Sequence, residues 1–233
     1  MTWLCLLKTV LVLALLLGVS LLWLELRHRL RPASPLRLRA GQFSVQPTAE
    51  GIRVQGEITI ANPHRRMEVF VPQIELRPTL LGQGDLSGVQ LRQRIVACHP
   101  DEEARDDGYW AAYIVKGRKT TGVRLRIGIT GPGGVDLESL LDTLWVDLHW
   151  VNYGPFGRLH RRHGLLVPIQ KPDPIDPGQA AWRQVDDSAV LPVRTHLLGV
   201  LDDPIEVLRR YSGDVLQQGD ILTIGETPLA VMQ

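Results

Sequence analysis

GIRVQGEITIANPHRRMEVFVPQIELRPTLLG, residues 51–82, decides the fold. Apolar and polar residues alternate on either side of an Asn62-Pro63 pair. A period of two belongs to a strand with one face buried and one face in water. The Asn-Pro pair suits a strand exit, because asparagine tolerates turn conformations and proline cannot donate to a ladder. Two strands joined by an outward turn are therefore expected here.

Working outward, the alternation returns in LRLRA (36–40), FSVQP (43–47), VQLRQRIVA (89–97), WAAYIVK (110–116), TGVRLRIGIT (121–130), LWVDLHWVN (144–152) and GLLVPIQ (164–170). Turn formers separate these runs at Gly51, Gly82, Gly84, Gly88, Gly108, the GPGG at 131–134 and Gly154-Pro155. Many short strands with this punctuation predict an all-β sandwich or barrel, here over residues 36–172. One short helix is expected from Asp136 to Leu144, with Asp136 as N-cap and Glu138 in its first turn.

Several groups inside this region invite a chemical reading. His99-Pro100-Asp101-Glu102-Glu103, with Asp106 and Asp107, is an acidic loop, but it lacks the spacing and turn glycine of a calcium loop. His160 and His163 lie among arginines that would repel a cation, so a surface turn is the simpler reading. Lys116-Gly117-Arg118-Lys119 is a basic turn that could meet a phosphate or an anionic lipid, or simply close a hairpin. GQGDLSG at 82–88 misses the dinucleotide spacing, and the sequence holds neither a Walker loop nor a Gly-x-Ser-x-Gly elbow. No catalytic residue and no metal ligand is assigned.

Residues 3–24 are apolar apart from Lys8, Thr9, Gly18 and Ser20, long enough to cross a hydrocarbon core of about 30 Å. Trp3 and Trp23 fall where aromatic belts sit. LLWLELRHRL follows in place of a small-residue cleavage site, which favours a retained anchor over residues 1–26 rather than a signal peptide. Arg27, His28, Arg29, Arg31, Arg37 and Arg39 crowd its C-terminal side. The positive-inside rule then predicts a single-pass membrane protein with its bulk in the cytoplasm, joined through a basic linker at 27–35. A net charge of +1 on 233 residues argues against a nucleic-acid partner. The two cysteines, Cys5 and Cys98, form no disulfide framework or zinc pattern.

QKPDPIDP at 170–177 opens a proline-rich spacer over 173–189. Beyond it the pattern changes. LPVRTHLL reads as a strand, Asp203 with Pro204 starts a helix, Gly213 ends it, and Gly219-Asp220 turns into a strand ILTIG. Such a unit over 190–233 is the front of an α/β domain, and further strands are expected beyond Gln233 to cover it.

Two resemblances follow from these residues. The stretch 51–82 resembles the LEA14-like sandwich, which implies a non-catalytic immunoglobulin-like domain often found beside membranes. THLLGVLDDPIEVLRRY and GDILTIGETPLAVMQ, with the anchor and sandwich before them, are similar to a membrane-anchored bacterial branch of the coenzyme F420-0:L-glutamate (γ-glutamyl) ligase family. That family adds glutamate through a γ-amide bond, so the resemblance implies GTP and Mg/Mn as cofactors. It also places a nucleotide-binding loop at His196, Leu197, Leu198 and Gly199, with Thr227 from the family's Ser-Thr pair. This chain departs from the pattern at Glu226, where the family has serine, and at Val231, where it has lysine. The resemblance thus implies a ligase-like protein that is inactive as this chain. A missing C-terminal domain or a partner chain would cover the 221–225 strand, and the lipid bilayer would hold the N-terminal helix. The alternative is a membrane-tethered, non-catalytic scaffold built on the sandwich.

Overall fold

The computed structural model describes residues 2–30, 33–104, 107–133 and 135–232, with backbone alone at 2, 4, 5 and 27–29. Arg31 of the basic linker, Asp106 of the acidic loop, Gly134 of GPGG and Gln233 lie outside the described residues, as do the side chains of Cys5, Arg27, His28 and Arg29.

The chain begins with one long helix, α1 (Thr2–Arg29), which runs three residues past the end of the expected anchor. Within it Leu6–Leu26 is long and apolar enough to span a membrane, a property that a signal sequence near an N-terminus shares. Its described leucines and valines are exposed all round, and among them no apolar face is turned to the rest of the protein.

Among the described residues eight strands then form a two-layer sandwich: β1 (Arg37–Thr48), β2 (Gly51–Ala61), β3 (Val69–Gly82), β4 (Gln90–Cys98), β5 (Tyr113–Val115), β6 (Thr120–Thr130), β7 (Leu141–Gly154) and β8 (Gly157–Pro168). One sheet runs β1-β2-β6-β4 and the other β5-β3-β7-β8, every pair antiparallel. The alternation read from the sequence puts Ile58 and Ile60, Leu125 and Ile127, Val69 and Val71, and Leu144 and Leu148 into the shared interior, each 1% exposed or less. Burying each of these side chains contributes about 1.5–3 kcal/mol. Gly51 carries the β1–β2 turn at φ 145, where a Cβ would sit 2.1 Å from the Ile129 carbonyl oxygen; glycine alone suits it.

Two bulges keep the alternation in phase. Ala40 pairs with Ile58 but Phe43 with Gly56, so β1 carries one extra residue and both Ala40 and Phe43 face inward. A second register shift between Phe70 and Gln73 falls at Pro72, so Val71 and Ile74 both reach the core.

Asn62 does more than end a strand. Its side chain is buried, and its amide donates to the carbonyls of Met67 (2.7 Å) and Val115 (2.9 Å) while its oxygen accepts from the His64 N–H (3.1 Å). It ties the 62–68 loop to β5.

WAAYIVK supplies only the three residues of β5, because Trp110 leaves the ladder to bury its ring and donate its indole N–H to the Val71 carbonyl (2.9 Å). His99 packs beside it, bonded through Nδ1 to Thr121 (2.8 Å) and through Nε2 to the Ala111 carbonyl (3.0 Å), and stacks on Tyr113.

The expected helix from Asp136 to Leu144 is a single turn, α2 (Leu137–Leu140), capped by Asp136 as foreseen. Leu141 to Leu144 belong to β7 instead, because pairing with β3 and burial in the core outweigh propensity there.

After the sandwich, a one-turn 3₁₀ segment (Pro177–Gln179) and a short exposed hairpin, β9 (Arg183–Val185) with β10 (Ser188–Val190), occupy the stretch expected as a spacer. A small region with α3 (Pro204–Ser212) and α4 (Glu226–Met232) follows. LPVRTHLL and ILTIG carry no ladder among the described residues, since a strand needs a neighbour and neither has one there.

Candidate functional site

The residues assigned by resemblance fall on the loop before α3 and on α4. Asp203 caps α3 by accepting from the Ile205 and Glu206 N–H groups at 2.9 and 3.1 Å, Pro204 fixes its first turn, and Gly213 follows its end. The helix buries Val207 and Tyr211 against Met232 of α4, with Val193, Leu198, Ile224 and Leu229 packed around them.

Under this cluster His196 is almost fully enclosed. Its Nδ1 lies 2.6 Å from the Tyr211 hydroxyl and its Nε2 2.9 Å from Asp202 Oδ1. The second Asp202 oxygen accepts the Gly199 N–H at 2.8 Å. With Asp202 ionised, Nε2 carries the proton and Nδ1 accepts from the tyrosine hydroxyl, the one pattern that gives every atom a partner. Burial pushes the Asp202 carboxyl up, but the hydrogen bonds from His196 and Gly199, with the charge on Lys171 adding least, hold it below the ordinary carboxylate value.

The loop is also fixed to the sandwich. A Cβ on Gly199 would stand 3.1 Å from Leu166 Cβ, so the backbone there lies directly on the outer face of β8.

Leu198 joins the apolar cluster, the Leu197 side chain is exposed, and Thr227 is exposed in the first turn of α4. His196 and Gly199 thus meet each other through Asp202, and Thr227 is not among the residues this contact brings together. Held this way the loop does not fit a nucleotide phosphate. Both ring nitrogens of His196 and the Gly199 N–H are engaged, Nδ1 by the Tyr211 hydroxyl and the other two by the Asp202 carboxylate, which repels an anion. Asp202 and Tyr211 are the partners that sequence reasoning missed. Their types were visible, but nothing in the spacing from 196 to 202 to 211 announces a shared contact.

The other candidates resolve as structural groups. His160 and His163 pair with Val151 and Leu148, so they point to opposite faces of β8 and cannot share an ion. Burial alone pushes His163 down from the ordinary imidazole value. The basic turn is bonded at its backbone, Arg118 N–H to the Asn62 and His64 carbonyls. Asp101 of the acidic loop bonds the Tyr113 hydroxyl, and burial first, then this carboxylate, pushes that phenol up to about 12. Among the described residues no three His, Cys, Asp or Glu side chains gather as a metal site would require.

No curated protein matches the chain. A solved structure, the ASH / PapD-like domain of human CEP192 (PapD-like domain 7), is similar at 13% identity and a TM-score of 0.29, covering 59% of this chain and 87% of that one. The family model described as F420-0:gamma-glutamyl ligase, N-terminal Ig-like domain, matches residues 37–171. That span takes in all eight strands of the sandwich and more than half of the sequence, and the chain belongs to this F420-0:gamma-glutamyl ligase family through its N-terminal Ig-like domain.

Proposed function

We propose that this protein is a membrane-anchored F420-0 γ-glutamyl ligase-like chain in which α1 is the anchor, the Ig-like sandwich is the mount, and residues 190–233 begin the ligase-like part. The observation that carries the reading is the family match over the sandwich, flanked by an apolar helix and by the loop holding His196. In this reading the bulk of the chain is cytoplasmic. The exposed apolar side chain of Ile221 (89%) supports packing of the rest of a ligase domain or a partner chain at 221–225. Carbonate-washed membranes from expressing cells should retain the chain at its full mass. Recovery in the supernatant, or a mass short by the first 26 or so residues, would remove the anchor.

Acyl activation by GTP and charge neutralisation by Mg or Mn are the chemistry the complete family would supply. The residues present here do not hold those groups, because the His196–Asp202 pair is consumed in bonds within the chain. These 233 residues on their own are expected to be inert. Incubation with F420-0, GTP, glutamate and manganese should yield no F420-1 by mass spectrometry, and any time-dependent product would contradict this. The second reading, a non-catalytic tethered module of LEA14-like type, draws on the same spent site, and it gains if the chain proves inert even with its ligase partner supplied.

A further inference from the structure

The two outer faces of the sandwich carry different charge. On the β5-β3-β7-β8 face the charges cancel in place: Arg77 bonds Glu75 at 3.0 Å, and Arg162 and His149 both bond Asp147. The β1-β2-β6-β4 face is dominated by arginine. Arg37 and Arg39 on β1 pair with Ala61 and Thr59 of β2, and Arg53 of β2 and Arg92 of β4 both pair with Gly128 of β6. The inward positions between them are Leu38, Val54 and Ile127, so these four guanidinium groups share the outward side. All four are exposed.

Gly128 has no side chain, and the gap it leaves is a shallow depression of about 440 Å³ lined by Arg53, Gln55, Arg92, Arg94 and Arg126. The strand carboxylate on this face, Glu57, is bound to Arg124 at 2.7 Å. The chain after the acidic loop comes against its margin, where a Cβ on Gly108 would stand 3.5 Å from Arg94 Cγ.

We propose that this arginine face docks on anionic lipid headgroups of the membrane that α1 enters. The proposal rests on the anchor reading. It has two supports beyond charge complementarity. First, the tether from Arg29 to Arg37 is short, and seven intervening residues span at most about 25 Å, so the sandwich cannot leave the surface. Second, the opposite face is unavailable to a flat partner where Gly199 packs on Leu166. Guanidinium groups match phosphate in geometry and shed their hydration readily, and each contributes appreciably near an anionic surface.

The test uses the full chain in nanodiscs of pure phosphatidylcholine and of phosphatidylcholine with 30% phosphatidylserine. A dye on Gln55→Cys, with Cys5 and Cys98 changed to serine, reports energy transfer to a headgroup acceptor. Transfer should rise in the anionic discs, collapse in 1 M salt, where the screening length is about 3 Å, and fall roughly tenfold in docked-to-undocked ratio for Arg53→Glu/Arg92→Glu. Equal transfer in both lipids, or an unchanged signal in the double variant, overturns the proposal. So does loss of the signal on adding millimolar inorganic phosphate at constant ionic strength, which would make the face a site for a soluble anion. Co-elution of chain and disc on a sizing column reports the anchor separately. If the chain elutes free, the anchor reading fails and docking falls with it; if it co-elutes without a lipid difference, docking alone fails. Far-ultraviolet dichroism of the double variant matching the parent excludes misfolding as the cause.

Discussion

His196→Ala releases residues 191–232 from their packed state and leaves the sandwich folded. The substitution strips partners from a buried tyrosine hydroxyl and from one oxygen of the largely enclosed Asp202 carboxylate. Orphaning buried polar groups costs about 1–3 kcal/mol each, and more when one is charged, so a total near 3–5 kcal/mol is expected. The opposing resource is small, since among the described residues only Val207, Tyr211 and Met232 form the buried apolar centre of this unit. Tyr211→Phe should be milder, about 1 kcal/mol, because it keeps the ring in the cluster. Hydrogen exchange on the full chain reads both: amides of 191–232 should lose protection in His196→Ala while β2, β6 and β7 keep theirs. Unchanged protection would mean the buried bonds do not hold the unit.

The same contact sets an acid limit. Asp202 has a folded pKa below its unfolded value of about 3.9. Its contribution is therefore complete above about pH 4 and is lost as pH falls through the folded value. Exchange in 191–232 should accelerate below that point, and Asp202→Asn should flatten the dependence.

Asn62→Ala has the second large effect, and it falls on the sandwich. Alanine leaves two carbonyls and one N–H without the partners they have now, for about 3 kcal/mol. For a domain of this size that corresponds to a Tm lower by about 10 °C. Asn62→Asp should be at least as damaging although it is nearly isosteric, because a carboxylate cannot donate to the Met67 and Val115 carbonyls. Thermal unfolding of the full chain in detergent measures both. A drop of only a degree or two would show that water replaces the bracket.

The sandwich was legible because a half-buried strand writes its geometry into every second residue, and β2 and β6 do so without interruption. α3 was legible through its ends, with Asp203, Pro204 and Gly213 each acting locally. What escaped depended on distant partners. Leu141 reads as helix until β3 offers it a ladder, and Asn62 reads as a turn residue until Val115, fifty-three positions away, supplies a carbonyl. α4 lay where a resemblance placed a Ser-Thr pair, and its signals, Glu226 in the first turn and the Leu229–Met232 spacing, are short and common. His196 was singled out for a ligand it does not suit, and its buried neighbours Asp202 and Tyr211 came from packing alone.

A Cβ-free residue against the β8 backbone also fixes a direction. Gly199 seats the helical unit on one side of a slab whose two sheets lie about 10 Å apart, and the arginines point out of the other side. The slab is then a stand-off: the unit around α3 and α4 is held a sheet-pair's thickness from the plane the arginines address. The height of that platform is a constant of the fold rather than a property of a flexible stalk.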